Sequence, residues 1–332
     1  MRPMSSAFVT GAGGFIGRHL VRQLLEQDIA VVALMLPNEP TPEEWQDRVR
    51  IVVGDVRELT QHADEIDSVD AIFHLAAIVS DWGAHQHHVD VTVKGTEQAI
   101  ELALRWNARF VVTTSICAYG SALGKGLITE DTPQGSTVSA YEYCKQEQER
   151  VTREAVEHKQ LNAVIIRPAN VYGVGSGPWV NTMVQNLRNG QPCLVGSGAW
   201  DAGLVHVNNL CALMIAAAKS DCGSGEVFNA ADGFGITWEK YVQDLASIAN
   251  APEPKRIPLW LARCVAPAME WIAKIRKQEE RPLLTRAALR LIGRDSRFSI
   301  SKAESLLGYK PIISYQQAMQ ELEKAMGEQN VR

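Results

Sequence analysis

The six cysteines of this 332-residue chain form no CxxC pair; Cys117, Cys144, Cys193, Cys211, Cys222 and Cys264 are scattered. That spacing excludes the common zinc arrangements and fits free thiols in a reducing compartment better than a disulfide scaffold. Basic excess is missing too. A net charge of -5, without an arginine-rich arm, leaves no electrostatic footprint for nucleic acid. There is no uninterrupted apolar stretch of about twenty residues, so nothing reads as a membrane span. The opening "MRPMSSAFVTGAGG" meets glycines too soon to contain the apolar region of a secretory signal. No repeat of fixed period occurs. What remains is 46% hydrophobic and 21% charged, an ordinary globular composition expected in the cytoplasm. The length suggests two domains, or one large core with an appended part.

Short apolar runs alternate with helix-length amphipathic stretches through the first half. "AFVT", "AVVALML", "RIVVGD", "AIFHLAA", "RFVVTTS" and "LNAVIIRP" are rich in Val, Ile and Phe. Between them lie "FIGRHLVRQLLEQ", "HVDVTVKGTEQAIELALRW" and "SAYEYCKQEQERVTREAVEHK", with helical periodicity or helix-forming composition. This alternation predicts a doubly wound parallel sheet covered on both faces, the α/β class. After Arg167 the chain becomes rich in Gly, Pro and Asn, and from Pro252 onward it reads as helical. In the stretch "IPLWLARCVAPAMEWIAKI", Trp260, Leu261, Met269, Trp271 and Ile272 are expected to pack on their own domain. A lid or a membrane-surface helix is the alternative.

"FVTGAGGFIGRHL" places Gly11, Gly14 and Gly17 after a strand and at the opening of a helix. There Gly11 permits a tight turn and Gly14 lets backbone approach a pyrophosphate. Gly17 allows close helix–strand packing, and the helix start offers free N–H groups and partial positive charge. A dinucleotide cofactor is therefore expected, held also by Phe15 and Ile16 in the same turn. No acid ends the second strand, where Met35 and Leu36 stand with Asn38 beyond. No arginine stands there either, so NAD and NADP both remain open. Asp55, followed by Val56, ends the third strand and is a candidate to touch the adenine.

These stretches, with "GDVRE", "HLAA", "VKGT", "TTSICAYG", "YEYCK", "RPANVYG" and "VHVNNL", run in the order of a known family over about residues 6 to 245. The chain resembles the extended short-chain dehydrogenase/reductases, the NAD-dependent epimerase/dehydratase family. Its later segments are most similar to the 3β-hydroxysteroid dehydrogenase-like branch. The resemblance implies a Rossmann-type domain over 1–175, with 200–232 returning to it. A smaller, mostly helical substrate domain would comprise 176–199 and 233–332. It also implies that Ser115, Tyr141 and Lys145 are catalytic. His74, Leu75, Ala76 and Ala77 would line the middle of the cofactor, and Pro168 would flank the nicotinamide. Ser80, Trp82, Ile116 and Asn170 are the positions expected to meet substrate. Thr92 departs from the family, which commonly has asparagine there. Many relatives pair the helices bearing "VKGTEQAIELA" and "YEYCKQEQERV", which implies a homodimer.

In a helix Tyr141 and Lys145 share one face and Tyr143 turns away, toward the core or a pocket wall. A free phenol has a pKa near ~10. An ammonium about 4 Å away favours the phenolate by up to ~4 kcal/mol at an effective dielectric of twenty, and burial works against it. Tyr141 is thus the expected acid/base for hydride exchange between nicotinamide and a carbinol or carbonyl carbon. Family members that dehydrate nucleotide sugars carry an Asp–Glu pair where this chain has Ile116 and Cys117. Many sugar-nucleotide members also clamp the diphosphate with an arginine, where Ala202 and Gly203 stand here, leaving Arg188 or Arg263 to substitute. The expected substrate is an apolar, steroid-like or otherwise lipophilic ketone or secondary alcohol. A nucleotide-sugar 4-epimerase with tightly held NAD, or a non-catalytic NAD(P)-binding sensor, is the alternative. His85, His87 and His88 lack the spacing of a catalytic zinc site and read as a solvated loop, so no metal is expected. Glu147 and Glu149 read as a solvated helix face.

Overall fold

The computed structural model describes residues 2–330. Seven parallel strands form its centre: β1 (Ser6–Thr10), β2 (Ala30–Met35), β3 (Val49–Val53), β4 (Ala71–His74), β5 (Arg109–Thr113), β6 (Ala163–Pro168) and β7 (Glu226–Ala230). Their order across the sheet is β7-β6-β5-β4-β1-β2-β3. Both faces are covered, which is why the strands read as nearly continuous Val, Ile and Phe. Helices α1 (Phe15–Glu26) and α4 (Val207–Lys219) bury Leu20, Leu24, Leu210 and Met214 against one face. Helices α2 (Gly95–Trp106) and α3 (Ala140–Lys159) bury Ile100, Ala103, Cys144 and Val151 against the other. Chain order reverses between β1 and β4, so a crevice opens beyond the carboxyl ends of those strands.

The remaining residues form a smaller part of mixed α/β character rather than a mostly helical one. Pro192–Val195 pairs in parallel with Lys255–Ile257, and Gly126–Ile128 with Ser296–Phe298. Each partner is distant in sequence, so no local hairpin signal announced either pair. A second core joins Val180, Leu187, Trp238, Tyr241, Tyr315 and Leu322, from α5 (Trp238–Ile248) and the final helix among others.

Helix α6 (Leu259–Ile275) corrects an expectation. It docks through Ala262, Ala266, Glu270 and Ala273, while Trp260 and Trp271 are 68% and 65% exposed. Small residues let its backbone approach, and Glu270 is accepted inside because it pairs with Arg286 of α7 (Arg286–Ile292) at 2.8 Å. Trp260, Trp271 and Ile272 therefore face outward, while Leu261 and Met269 are half-buried.

Candidate active site

β1 ends at Gly11, whose φ is +67°; a Cβ there would stand 2.9 Å from the Ala76 amide nitrogen. Only glycine permits that turn beside the β4 loop. α1 starts from Gly14 with no side-chain cap and no acid in its first turn. Its leading N–H groups and positive end are left for an anion, so the residues present fit the diphosphate of a dinucleotide. Phe15 and Ile16 are half-buried in this turn.

Glu39 is a residue that reading the strand end missed. Pro37 and Asn38, with Asn38 at φ +68°, turn the chain back, and the Glu39 amide donates to the Leu36 carbonyl at 3.1 Å. Its carboxylate lies against Gly13, where a Cβ would collide with it. The Pro-Asn pair at the centre of a turn was the available signal. Asp55 accepts from the Arg57 amide at 2.9 Å and its two oxygens pair with the Arg57 guanidinium at 2.9 and 2.7 Å. That pairing holds the Asp55 carboxyl below its ordinary range. Val56 is buried beneath Gly95.

β4 leads into Leu75, Ala76 and Ala77, all half-buried at the crevice. His74 is withdrawn from it: the ring is fully buried, bonded to Thr10 at 2.9 Å and Thr96 at 3.0 Å. Burial lowers its pKa to about 3, so it stays neutral. Thr92, the departure from the family pattern, accepts the Ile78 amide at 3.2 Å and so fixes the same loop.

Ser139 caps α3 by accepting the Glu142 amide at 3.1 Å, which sets where the helix begins and presents Tyr141 in its first turn. Ser115, in extended backbone just past β5, accepts the Cys117 amide at 3.1 Å. Its hydroxyl lies beside the Tyr141 phenol. Lys145 lies below, its Nζ 5.7 Å from the Tyr141 ring centre. The three residues expected to act together are thus brought together.

Their electrostatics differ from expectation. Burial, the largest cause, with the Asp81 carboxylate adding to it, pushes the phenol above its ordinary value rather than below it. Lys145 turns its ammonium to other partners, donating to the Thr113 carbonyl at 3.1 Å and the Gln148 carbonyl oxygen at 2.7 Å. Burial lowers Lys145 itself to about 8. Gln148, also missed, passes the connection on: its amide donates to Thr96 at 2.7 Å, next to His74 and Thr10. Each member donates or accepts within its inventory, so the chain from Lys145 to Thr10 is fully paired.

Other side chains fall elsewhere than their sequence context indicated. Glu149 is 1% exposed, not solvated; it forks onto Arg167 at 2.8 and 2.6 Å, and Arg167 stacks on Tyr119. Tyr143 is neither core nor pocket wall but 38% exposed, packed on His85. His85–His88 forms a helical turn with His88 buried, and no metal-binding cluster occurs among the described residues. Of the substrate positions, Ile116 is 1% exposed, and the Asn170 amide is committed to the Ala202 carbonyl at 2.7 Å, so both are closed off. Pro168, at the end of β6, is buried. Ser80 bonds to the Trp82 backbone, and the Trp82 indole donates to the Gln278 carbonyl at 3.0 Å. Asp81 beside them binds Arg281 and Thr285. The segment before α7 thus closes over the loop next to Ser115.

A parallel sheet with a glycine turn at its crossover and a Ser–Tyr–Lys group at its carboxyl edge defines an NAD(P)-binding enzyme of the short-chain dehydrogenase/reductase type. Residues 7–231 match the NAD dependent epimerase/dehydratase family, and the chain belongs to it. It is 26% identical to the 2-alkyl-3-oxoalkanoate reductase of Shewanella oneidensis, over 97% of this chain and 87% of that protein. It is 27% identical to 3beta-hydroxysteroid-dehydrogenase/decarboxylase isoform 1 of Arabidopsis thaliana, over 94% of this chain and 77% of that one. Among solved structures it is similar to a UDP-glucose 4-epimerase of Thermotoga maritima, TM-score 0.76 and 20% identity over 98% and 99% of the two chains. No helix among the described residues is long and apolar enough to cross a membrane.

Proposed function

We propose that this protein interconverts a ketone and a secondary alcohol, Tyr141 exchanging the proton on the substrate oxygen while Ser115 holds that oxygen. The observation that carries this reading is the phenol of Tyr141, kept protonated by burial, beside Ser115 and above Lys145. Bound nicotinamide supplies or accepts the hydride. Lys145 spends two of its three ammonium protons on Thr113 and Gln148, and the third is available to the cofactor's ribose or the phenol. A phenol that holds its proton is an acid, so carbonyl reduction is the favoured direction near neutral pH.

The cofactor preference we propose is NAD, because the Glu39 carboxylate beside Gly13 suits ribose hydroxyls and repels a 2′-phosphate. Residues 1–175 with 200–232 would carry the cofactor, residues 176–199 and 233–332 the substrate, and α2 with α3 a homodimer contact.

An apolar ketone is supported by the absent acid pair at Ile116 and Cys117 and by the ketone and steroid enzymes among the relatives. A second reading, nucleotide-sugar 4-epimerisation, uses the same Tyr141 and is favoured by the likeness to the UDP-glucose 4-epimerase. A non-catalytic sensor would not need all three catalytic groups. A panel of lipophilic ketones, secondary alcohols and sugar nucleotides, run with each cofactor, separates the readings. Net change in nicotinamide absorbance with an apolar ketone supports the first. Sugar epimers forming without net cofactor turnover would replace it with the second.

A further inference from the structure

Helix α6 packs with its sides reversed. Its 17 residues turn Ala262, Ala266 and Ala273 inward, with Glu270 paired to Arg286, and leave both tryptophans outside. Trp260, Cys264, Pro267, Ala268, Trp271 and Ile275 are all exposed, and their spacing places them on one face of a helix. Ile275, at the end of that stripe, is 61% exposed. An apolar face that runs the length of a helix is not the scatter of single apolar residues that any surface carries. Its charges are one-sided as well. Arg263 and Lys274 run along one edge of the stripe, and Arg276 and Lys277 follow the last turn. No exposed acid lies within the helix; Glu279 and Glu280 come after it. In a chain with 38 acidic and 33 basic residues, that local sign is opposite to the whole. A second copy of the chain fits this face poorly. Twofold pairing lays each edge against the same edge of the other copy, so Arg263 and Lys274 would meet like charge.

We propose that α6 docks flat on an anionic lipid surface, its tryptophan stripe entering the boundary between head groups and acyl chains while Arg263 and Lys274 reach the lipid phosphates. An indole at that depth keeps its ring among the chains and its N–H in the polar layer. Long cationic side chains at the edge of the stripe extend back to the head groups, which hold them by charge. At 1.5 Å per residue the helix is roughly 25 Å long, so both indoles enter along one line. The contact is interfacial and reversible, since no helix among the described residues is long and apolar enough to cross a membrane. The surface is also tied to the active site. Gln278, just past the helix, accepts the Trp82 indole N–H at 3.0 Å, and Arg281 donates to Asp81 at 3.0 Å. The C-terminal end of α6 is thereby fastened to the loop next to Ser115. This docking goes beyond the hydride chemistry and does not depend on it.

Sedimentation of the full chain with vesicles of phosphatidylcholine and phosphatidylglycerol in equal parts tests this. Wild type is expected to bind them, and to bind vesicles of phosphatidylcholine alone about tenfold more weakly. Trp260→Gln combined with Trp271→Gln should lower the partition about tenfold or more. Arg263→Gln combined with Lys274→Gln should lower it about tenfold and flatten its dependence on salt. All four side chains are exposed, so both variants should fold, which thermal unfolding checks. Tyr141→Phe should bind vesicles as wild type does, so failure of the catalytic reading leaves the docking surface standing. No vesicle binding by wild type, or equal binding by wild type and the tryptophan variant, overturns the proposal. In the first case, self-association of wild type that the tryptophan variant loses would assign the face to a second copy of the chain.

Discussion

The floor of the cleft and the roof of the smaller part, formed by α6, α7 and the turn after them, treat polar side chains in opposite ways. On the floor Lys145, Gln148, Thr96, His74 and Thr10 lie deep in the protein and every one is hydrogen-bonded. In the roof Arg263 and Arg294 remain unmatched at the surface of a cavity. Buried groups must find partners during folding, or each costs about 1–3 kcal/mol. Exposed groups need not, because water serves them. Pairing is obligatory where side chains are buried and optional where they meet solvent.

The largest expected effect lies where pairing is tightest. Arg167→Ala removes the buried cation that both Glu149 oxygens fork onto, leaving Thr114, Gln134 and the more exposed Arg153, and should cost about 3 kcal/mol in chemical denaturation. Arg256→Ala, which removes an exposed pair with Glu239, should cost less than about 1 kcal/mol. Similar losses for the two would erase the distinction between buried and exposed pairs. Next, Gln148→Ala removes the acceptor that orients Lys145, and kcat should fall about tenfold. Gln148→Glu keeps an acceptor and should recover part of that loss if the role is positioning.

Lys145 gives a pH signature. Its folded pKa, about 8, lies below the ordinary 10.5, so between these values the folded chain holds fewer protons than the unfolded one. The penalty of burying its charge is complete below about pH 8 and is relieved as pH rises toward 10.5, so stability should rise across that window. Activity should decline over the same rise as the ammonium is lost, and Lys145→Met should abolish the stability slope in denaturation profiles. Smaller again, Glu39→Ala should narrow the ratio of NAD to NADP efficiency, read from kcat/KM with each cofactor. An unchanged ratio would remove Glu39 from cofactor choice.

Much of the floor was legible because its residues repeat at fixed short spacing. Gly11, Gly14 and Gly17 open one helix, Tyr141 and Lys145 share another, and Ser115 follows a strand rich in Val. Glu39 was hidden by a turn that carries it back four residues past the strand end. Glu149 was hidden by the charged run around it, since nothing local shows that Arg167 of β6 will meet it. The roof was hardest to read. Its arginines come from separate helices and converge only when α6, packed by alanines rather than by its tryptophans, meets α7.

In the proposed mechanism Tyr141 delivers the proton while the Lys145 network holds it in place. Single-turnover nicotinamide absorbance should be compared for wild type and Tyr141→Phe, with cofactor affinity measured on the same preparations. Loss of about 100- to 10,000-fold in the hydride step at unchanged cofactor affinity is the expected result. Full-speed hydride transfer by the phenylalanine variant would contradict it.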